Sequence, residues 1–304
     1  MIGVALTKVA LRDGTEIYAI VRPDTKRNDR LISSPKVHVV NGSLEELDRI
    51  TEIPTDCDVL YHFAWTGTAR KERDDPVVQE RNITHTLAAV ELAKRCGCNR
   101  FVGAGSQAEY GPVEGIIDAE TKCAPATAYG AAKLAAGVLS RRLCVLYGIA
   151  HIWGRIFSVY GPHDSNGTML DDALKAFARK EIAHFSAATQ TWNYLYEDDA
   201  GEFFLRFGQA DTPAGTYLVA SDESRPLREY IETVMQLFGG EARAVFASKN
   251  GEGVYGLNVN NKKTLQTIGY RPVVSFQEGA QRMKEARSEE GVERRIRGGT
   301  DDRP

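Results

Sequence analysis

What this chain of 304 residues lacks excludes several broad classes. It has no uninterrupted apolar run near the roughly 18 residues that a membrane span requires, and no charged-then-apolar leader. Its 38 Lys and Arg are outnumbered by 41 Asp and Glu, and at net charge −3 there is no basic footprint for nucleic acid. Cysteine is scarce. Five thiols, an odd number in a large chain without a secretion signal, point to reduced cysteines in a cytoplasmic protein. Cys96 and Cys98 lie close together, but no second Cys/His pair at metal spacing accompanies them, so helix-end packing is expected there and no metal site. Internal repeats and low-complexity segments are missing too. What is there is a chain 42% hydrophobic, enough for the core of one large domain or one and a half.

The informative stretch runs from Ser106 to Lys133. GSQAEYG puts a serine at the end of an expected strand, and TAYGAAKLAAG puts a Tyr-x-x-x-Lys pair at the start of an expected helix. A spacing of four places Tyr129 and Lys133 on one helical face, one turn apart. An ammonium beside a phenol favours the phenolate, so the tyrosine pKa is expected below its free value of about 10. Such a group can exchange a proton with a sugar or alcohol oxygen near neutral pH, and Ser106 would hold the same oxygen. Of the 12 tyrosines only Tyr129 has a lysine four residues on.

With its neighbours, this segment resembles the extended short-chain dehydrogenase/reductase superfamily, in particular its nucleotide-sugar epimerase/dehydratase branch. The matching pieces are YHFAW at 61–65, GAGSQAEYG at 103–111, YGAAK at 129–133, RIFSVYGP at 155–162 and WNYLYEDDA at 192–200, in family order. The resemblance implies a doubly wound parallel α/β sheet with a smaller C-terminal α+β substrate lobe. It also implies an NAD or NADP cofactor, and Ser106, Tyr129 and Lys133 as the catalytic set. Residues 1–162 would form the dinucleotide-binding domain, 163–286 mainly the substrate lobe with strands returning to the main sheet, and 287–304 a frayed tail.

Against that pattern the chain opens late. IGVALTKVALRDG reads as a helix stopped by Gly14, and EIYAIV (16–21) as a strand. In a dinucleotide fold this helix follows the glycine-rich turn, which follows the central first strand. Gly3 resembles the last glycine of that turn; the earlier glycines and the strand would precede Met1. A sheet without that strand has two facing edges lacking hydrogen-bond partners. The natural start is therefore expected roughly 10–15 residues before Met1. If residues 1–304 are the whole product, poor stability and weak cofactor binding are expected.

After the second strand, Val21 sits where NAD-selecting enzymes carry an acid, and Arg22, Lys26 and Arg27 follow, which leans toward NADP. VHVV (37–40) is a further strand, after which Ser43 and Leu44 would pass near the adenine by resemblance. CDVLYHFAW (57–65) reads as a buried parallel strand whose end, Phe63–Ala64–Trp65, would line the cofactor. His62 on it reads as a packed core residue. Asp75-Pro76 starts a long helix, with Asn82 matching a family asparagine near the cofactor. Where the family's dehydratases carry an Asp-Glu pair, this chain has Gln107 and Ala108, neither able to exchange a proton. Glu109 would point to the opposite side of an extended segment.

The helix bearing Tyr129 is expected to stop at Gly148, with Gly130 and Gly137 inside it explained by a close neighbour or by chance. By resemblance Gln107, Ser158, Trp192 and Asn193 would face the substrate; Trp192 could stack on a base or sugar, or serve as core. Asp198 and Asp199 read as helix caps. The resulting expectation is an NAD(P)-dependent nucleotide-sugar epimerase or 4-keto reductase, acting on a nucleoside-diphosphate sugar, with a homodimer common in the family. The alternative is a non-catalytic relic of the fold that binds or regulates.

Overall fold

The computed structural model of the chain describes residues 1–298 apart from 24, 70, 165, 166 and 250–254. Helix α1 (Ile2–Arg12) buries Ala5, Leu6, Val9 and Ala10, and Gly14 turns the chain at φ 75°. Strands β1 (Ile17–Val21) and β2 (Val37–Asn41) pair in parallel, from Ile17 opposite Val37 to Val21 opposite Asn41. Strand β3 covers only Val59–His62, shorter than the apolar run around it. Helix α2 (Pro76–Arg95) begins as its sequence dictates: the Asp75 carboxylate accepts the N–H groups of Val77 (2.9 Å) and Val78 (3.3 Å), with Pro76 at the first helical position. Every residue of β4 (Arg100–Ser106) is buried. After β5 (Ile116–Ile117), α3 (Ala128–Tyr147) is capped at one end by the Thr127 hydroxyl, and at the other by Gly148 at φ 69°.

The second half follows as β6 (Ala150–Ile156), β7 (Ser158–Tyr160), α4 (Met169–Ala178), β8 (Ile182–Phe185), β9 (Thr191–Trp192), β10 (Tyr194–Tyr196) and α5 (Glu197–Gly208). Then come β11 (Gly215–Val219), β12 (Arg225–Pro226), α6 (Leu227–Gln236), β13 (Arg243–Phe246), β14 (Asn258–Val259), α7 (Lys262–Ile268) and α8 (Phe276–Gly298). The main sheet is parallel, in the order β11-β6-β4-β3. Alternation along β4 serves both of its faces. Val102 packs with Leu6, Val9, Phe203 and Phe204 of α1 and α5, while Phe101 packs with Val90, Leu92 and Cys144 of α2 and α3. Helices on both faces make the sheet doubly wound.

Among the described residues β3 hydrogen-bonds only with β4, and β1 only with β2. The two sheet pieces are joined by side chains: Val40 of β2 shares an apolar cluster with Leu47, Val90 and Phe101. The open edge also explains why Val59, Leu60 and Tyr61 are only half-buried, where a run this apolar is expected to be covered.

Three expectations change. Asp198 and Asp199 make no caps. Asp198 pairs with Lys8 at 2.7 Å, and buried Asp199 accepts the Tyr270 hydroxyl (2.6 Å) and the N–H groups of Val273 and Val274. The segment from 287 is helical to Gly298, and at its start the Arg287 guanidinium donates to Asp171 (2.9 Å) and to the Pro162 carbonyl (3.1 Å); residues 299–304 lie outside the described residues. Glu109 belongs to a single 3-10 turn, Gln107–Glu109, rather than to extended chain. All five cysteines are free, and Cys96 and Cys98 pack in the core beneath α2. No group of His, Cys, Asp and Glu among the described residues could hold a metal ion, and no helix among them is long and apolar enough to cross a membrane.

Candidate active site

Parallel strands deliver their carboxyl ends to one edge of a sheet, and in open α/β folds that edge is where ligands sit. β4 ends at Ser106, which is buried and caps the 3-10 turn. Its Oγ accepts the Ala108 N–H (3.2 Å) while its own N–H donates to Glu109 Oε1 (2.8 Å). This S-x-x-E pairing is a capping box, a signal readable in the sequence. Glu109 is fully buried and also accepts Trp153 Nε1 (2.9 Å) and Arg155 Nε (2.7 Å). A carboxylate taken out of water needs such partners, and the turn beneath Ser106 is thereby fixed.

Helix α3 brings Tyr129 and Lys133 to Ser106. The Ser106 hydroxyl lies near enough to the Tyr129 phenol to act on its proton affinity. Lys133, 4% exposed, donates to the Ala104 carbonyl (2.7 Å) and lies 3.6 Å over the Trp65 ring and 5.9 Å from the centre of the Tyr129 ring. Trp65 meets Tyr129 edge-on at 5.9 Å and donates its indole N–H to Gln79 Oε1 (2.9 Å). On Tyr129's other side, the Arg73 guanidinium stacks 4.4 Å from the ring centre.

The proton affinities correct the simple reading of Tyr-x-x-x-Lys. Burial pushes the Tyr129 pKa up, and the Glu109 charge adds to that; the nearby Ser106 hydroxyl and the Arg73 charge work against it. Lys133 is not among the groups that pull it down. The lysine itself is driven down to about 7 by burial, with Glu109 partly restoring it, so its charge at neutral pH is incomplete. His62 hydrogen-bonds Thr86 (3.3 Å) and is held neutral by burial.

The other sequence candidates divide. Arg22 is exposed at the end of β1; Ser43 and Leu44 follow the end of β2, with Ser43 Oγ donating to Glu46 (3.2 Å). Side chains of Lys26 and Arg27 lie outside the described residues. Gly3 opens α1, 3.8 Å short of Phe63 for an added Cβ. Phe63 turns inward onto Phe204 (4.8 Å), and Ala64 is exposed. Asn82 is buried and ties down the loop after β3, accepting the Thr66 N–H (2.8 Å) and donating to the Thr66 carbonyl (3.0 Å). Gln107 and Ser158 are half-buried, each next to a carboxyl strand end. Trp192 is half-buried among apolar clusters, with its indole N–H buried and unpartnered among the described residues. Asn193 is spent on structure: its amide donates to Ser221 and Glu223 carbonyls and Ser224 Oγ, and accepts the Ser221 N–H.

A doubly wound sheet carrying serine, tyrosine and buried lysine at its carboxyl edge is the build of a short-chain-dehydrogenase-type enzyme. Residues 1–220 match the sequence profile of the NAD dependent epimerase/dehydratase family, and the chain belongs to that family. Among relatives, GDP-mannose 3,5-epimerase 1 of Oryza sativa subsp. indica is 24% identical over 287 residues, covering 89% of this chain and 75% of the relative. UDP-N-acetylglucosamine 4-epimerase from Methanobrevibacter ruminantium M1, solved in complex with UDP-N-acetylmuramic acid, superposes with a TM-score of 0.85 at 16% identity, over 95% of this chain and 96% of that one. UDP-glucuronic acid 4-epimerase from Bacillus cereus, solved with UDP-glucuronic acid and NAD, gives 0.82 at 19% identity, over 95% and 96%. At these identities the structural likeness establishes the fold.

The residues present fit the dinucleotide that the family name implies. At one end the buried Lys133 amine lies 5.9 Å from the Tyr129 ring centre, with Ser106 at the end of β4 nearby. Toward the other, α1 begins against Phe63, just past the carboxyl end of β3, its first-turn N–H groups capped by no side chain among the described residues.

Proposed function

We propose that this enzyme epimerises a nucleoside-diphosphate sugar, or reduces a keto form of one, at a sugar carbinol carbon. The observation that carries the reading is Tyr129 set near Ser106 at the carboxyl end of β4, with Lys133 buried one turn along the same helix. When bound, a nicotinamide supplies or accepts the hydride. The chain supplies the proton. Tyr129, kept protonated by burial, donates to a keto oxygen, and in the opposite direction the phenolate takes the proton of the sugar hydroxyl. Ser106 orients that oxygen, and Lys133 stands ready for the nicotinamide ribose.

Gln107 and Ser158 are proposed as neighbours of the sugar, and Trp65 of the nicotinamide. Arg22, Ser43 and Leu44 are proposed for the adenosine end. Lacking an acid at Gln107 and Ala108, the site has no pair to eliminate water, which argues against dehydration. Val21 and exposed Arg22 favour NADP over NAD by leaving room and charge for a 2′-phosphate. Residues 1–162 would then hold the dinucleotide and 163–286 mainly the sugar nucleotide, in a homodimer built on α2 and α3. Family membership disfavours the non-catalytic relic.

Tyr129→Phe tests the reading. Across a panel of keto and hydroxy nucleotide sugars it is expected to lower turnover by about two to four orders of magnitude, while fluorescence titration gives an unchanged affinity for NADPH and a weaker one for NADH. Unchanged turnover removes the assignment of Tyr129, and tighter NADH binding removes the preference for NADP.

A further inference from the structure

The loop between β3 and α2 is fastened across the start of α3. The Arg73 carbonyl accepts the Tyr129 N–H (3.1 Å), and Asp74 Oδ1 accepts the Ala128 N–H (2.8 Å). Both are first-turn amides that a helix leaves without internal partners. Asp75 then caps α2, and buried Gln79 donates from Nε2 to the Gly67 (2.7 Å) and Glu72 (3.0 Å) carbonyls, closing the loop on itself. With its backbone fixed on both sides, Arg73 lays its guanidinium on the Tyr129 ring, 4.4 Å from the centre, while the side chain remains exposed.

We propose that Arg73 is a positioning residue for proton transfer: stacked on Tyr129, its guanidinium stabilises the phenolate formed when that residue gives up its proton. The proposal rests on the assignment of Tyr129 as the proton-transfer group. A cation on a ring face gains as the ring becomes anionic, and Arg, always charged and planar, suits stacking better than Lys. The other groups around the phenol do not duplicate this. Ser106 is neutral and Trp65 uncharged, Glu109 opposes the phenolate, and Asp74 is engaged with a backbone amide. Arg155 is bound to Glu109, and Lys133, farther from the Tyr129 ring centre at 5.9 Å, donates to the Ala104 carbonyl and lies over the Trp65 ring. Arg73 is the charge that favours the ionised form, and burial of the ring is what it opposes.

The test compares the full-length protein with Arg73→Ala and Arg73→Lys. Tyrosine labelled with 13C at Cζ is titrated by NMR, the Tyr129 signal being identified by its loss in Tyr129→Phe, and kcat in the sugar-oxidising direction is followed against pH. In Arg73→Ala the Tyr129 titration and the acid limb of kcat are expected to move up together by about half a unit to one unit, an exposed charge being partly screened. KM should stay within about twofold, and Arg73→Lys should recover part of the shift. In about 0.5 M salt the wild type should move toward the variant, which itself should not move. An unmoved Tyr129 titration overturns the proposal, as does a rise in KM alone or a loss of kcat equal at every pH. A moved titration in a protein that turns over no nucleotide sugar keeps Arg73's role and removes the proposed function, so the two failures are separable.

Discussion

His62 and His151 lie inside the sheet, the first against Thr86 and the second against Ser140 (2.9 Å), and burial pushes their pKa values down to about 3 and about 4. An unfolded histidine takes a proton near 6.5, so between that pH and the folded values the unfolded chain binds protons that the fold refuses. Stability is therefore full above pH 6.5 and falls as the pH drops toward 4, at about 1.4 kcal/mol per pH unit for each group. Urea denaturation of His151→Gln should show a shallower fall across that window than the wild type; equal slopes would contradict the burial account. The same rule sets the Tyr129 pKa apart from what the spacing alone suggests. Four residues of separation place Lys133 on the right face of the helix, but the weight of burial against a neighbouring charge is set by tertiary packing. It raises the phenol's proton affinity and lowers the lysine's.

At the level of elements, β4, β6 and α3 meet around one indole. A Cβ at Gly103, Gly105 or Gly137 would stand 2.3, 2.4 or 2.8 Å from Trp153, so three glycines from two elements form the slot in which that ring lies flat. Gly137→Ala gains about 1 kcal/mol of helix propensity, yet forcing a methyl into the slot costs about 1–3 kcal/mol. A net loss of stability is expected in denaturant titration, together with impaired turnover, because Trp153 also holds Glu109 beneath Ser106. A more stable, fully active variant would refute the slot. Element ends were legible because their causes are local: Asp75-Pro76 starts α2, and Gly148 stops α3. The reason for Gly137 is a tryptophan 16 positions on in the next strand, and no window along the chain displays that contact. Glu109 lay between these cases, its capping box with Ser106 being written in sequence and its bond to Arg155 not.

For the whole molecule, the five motifs located the doubly wound sheet and its carboxyl edge, while the closing helix ran further than its charged composition suggested, anchored by Arg287. On α3, Val138, Leu139, Val145 and Leu146 remain 45–65% exposed in one stripe. Such a stripe supports the proposed pairing of two copies through α2 and α3. Sedimentation should find a dimer at micromolar concentration and a monomer for Leu139→Glu/Val145→Glu; a monomeric wild type would end that proposal. The interruption between β1 and β3 bears on the same scale. Arg22 and Ser43 ride on the smaller sheet piece, and Ser106, Tyr129 and Lys133 on the larger. Among the described residues the two pieces meet through side-chain packing, Val40 and Phe101 sharing one apolar cluster. A dinucleotide reaching from Arg22 to Tyr129, as proposed, would bridge both pieces.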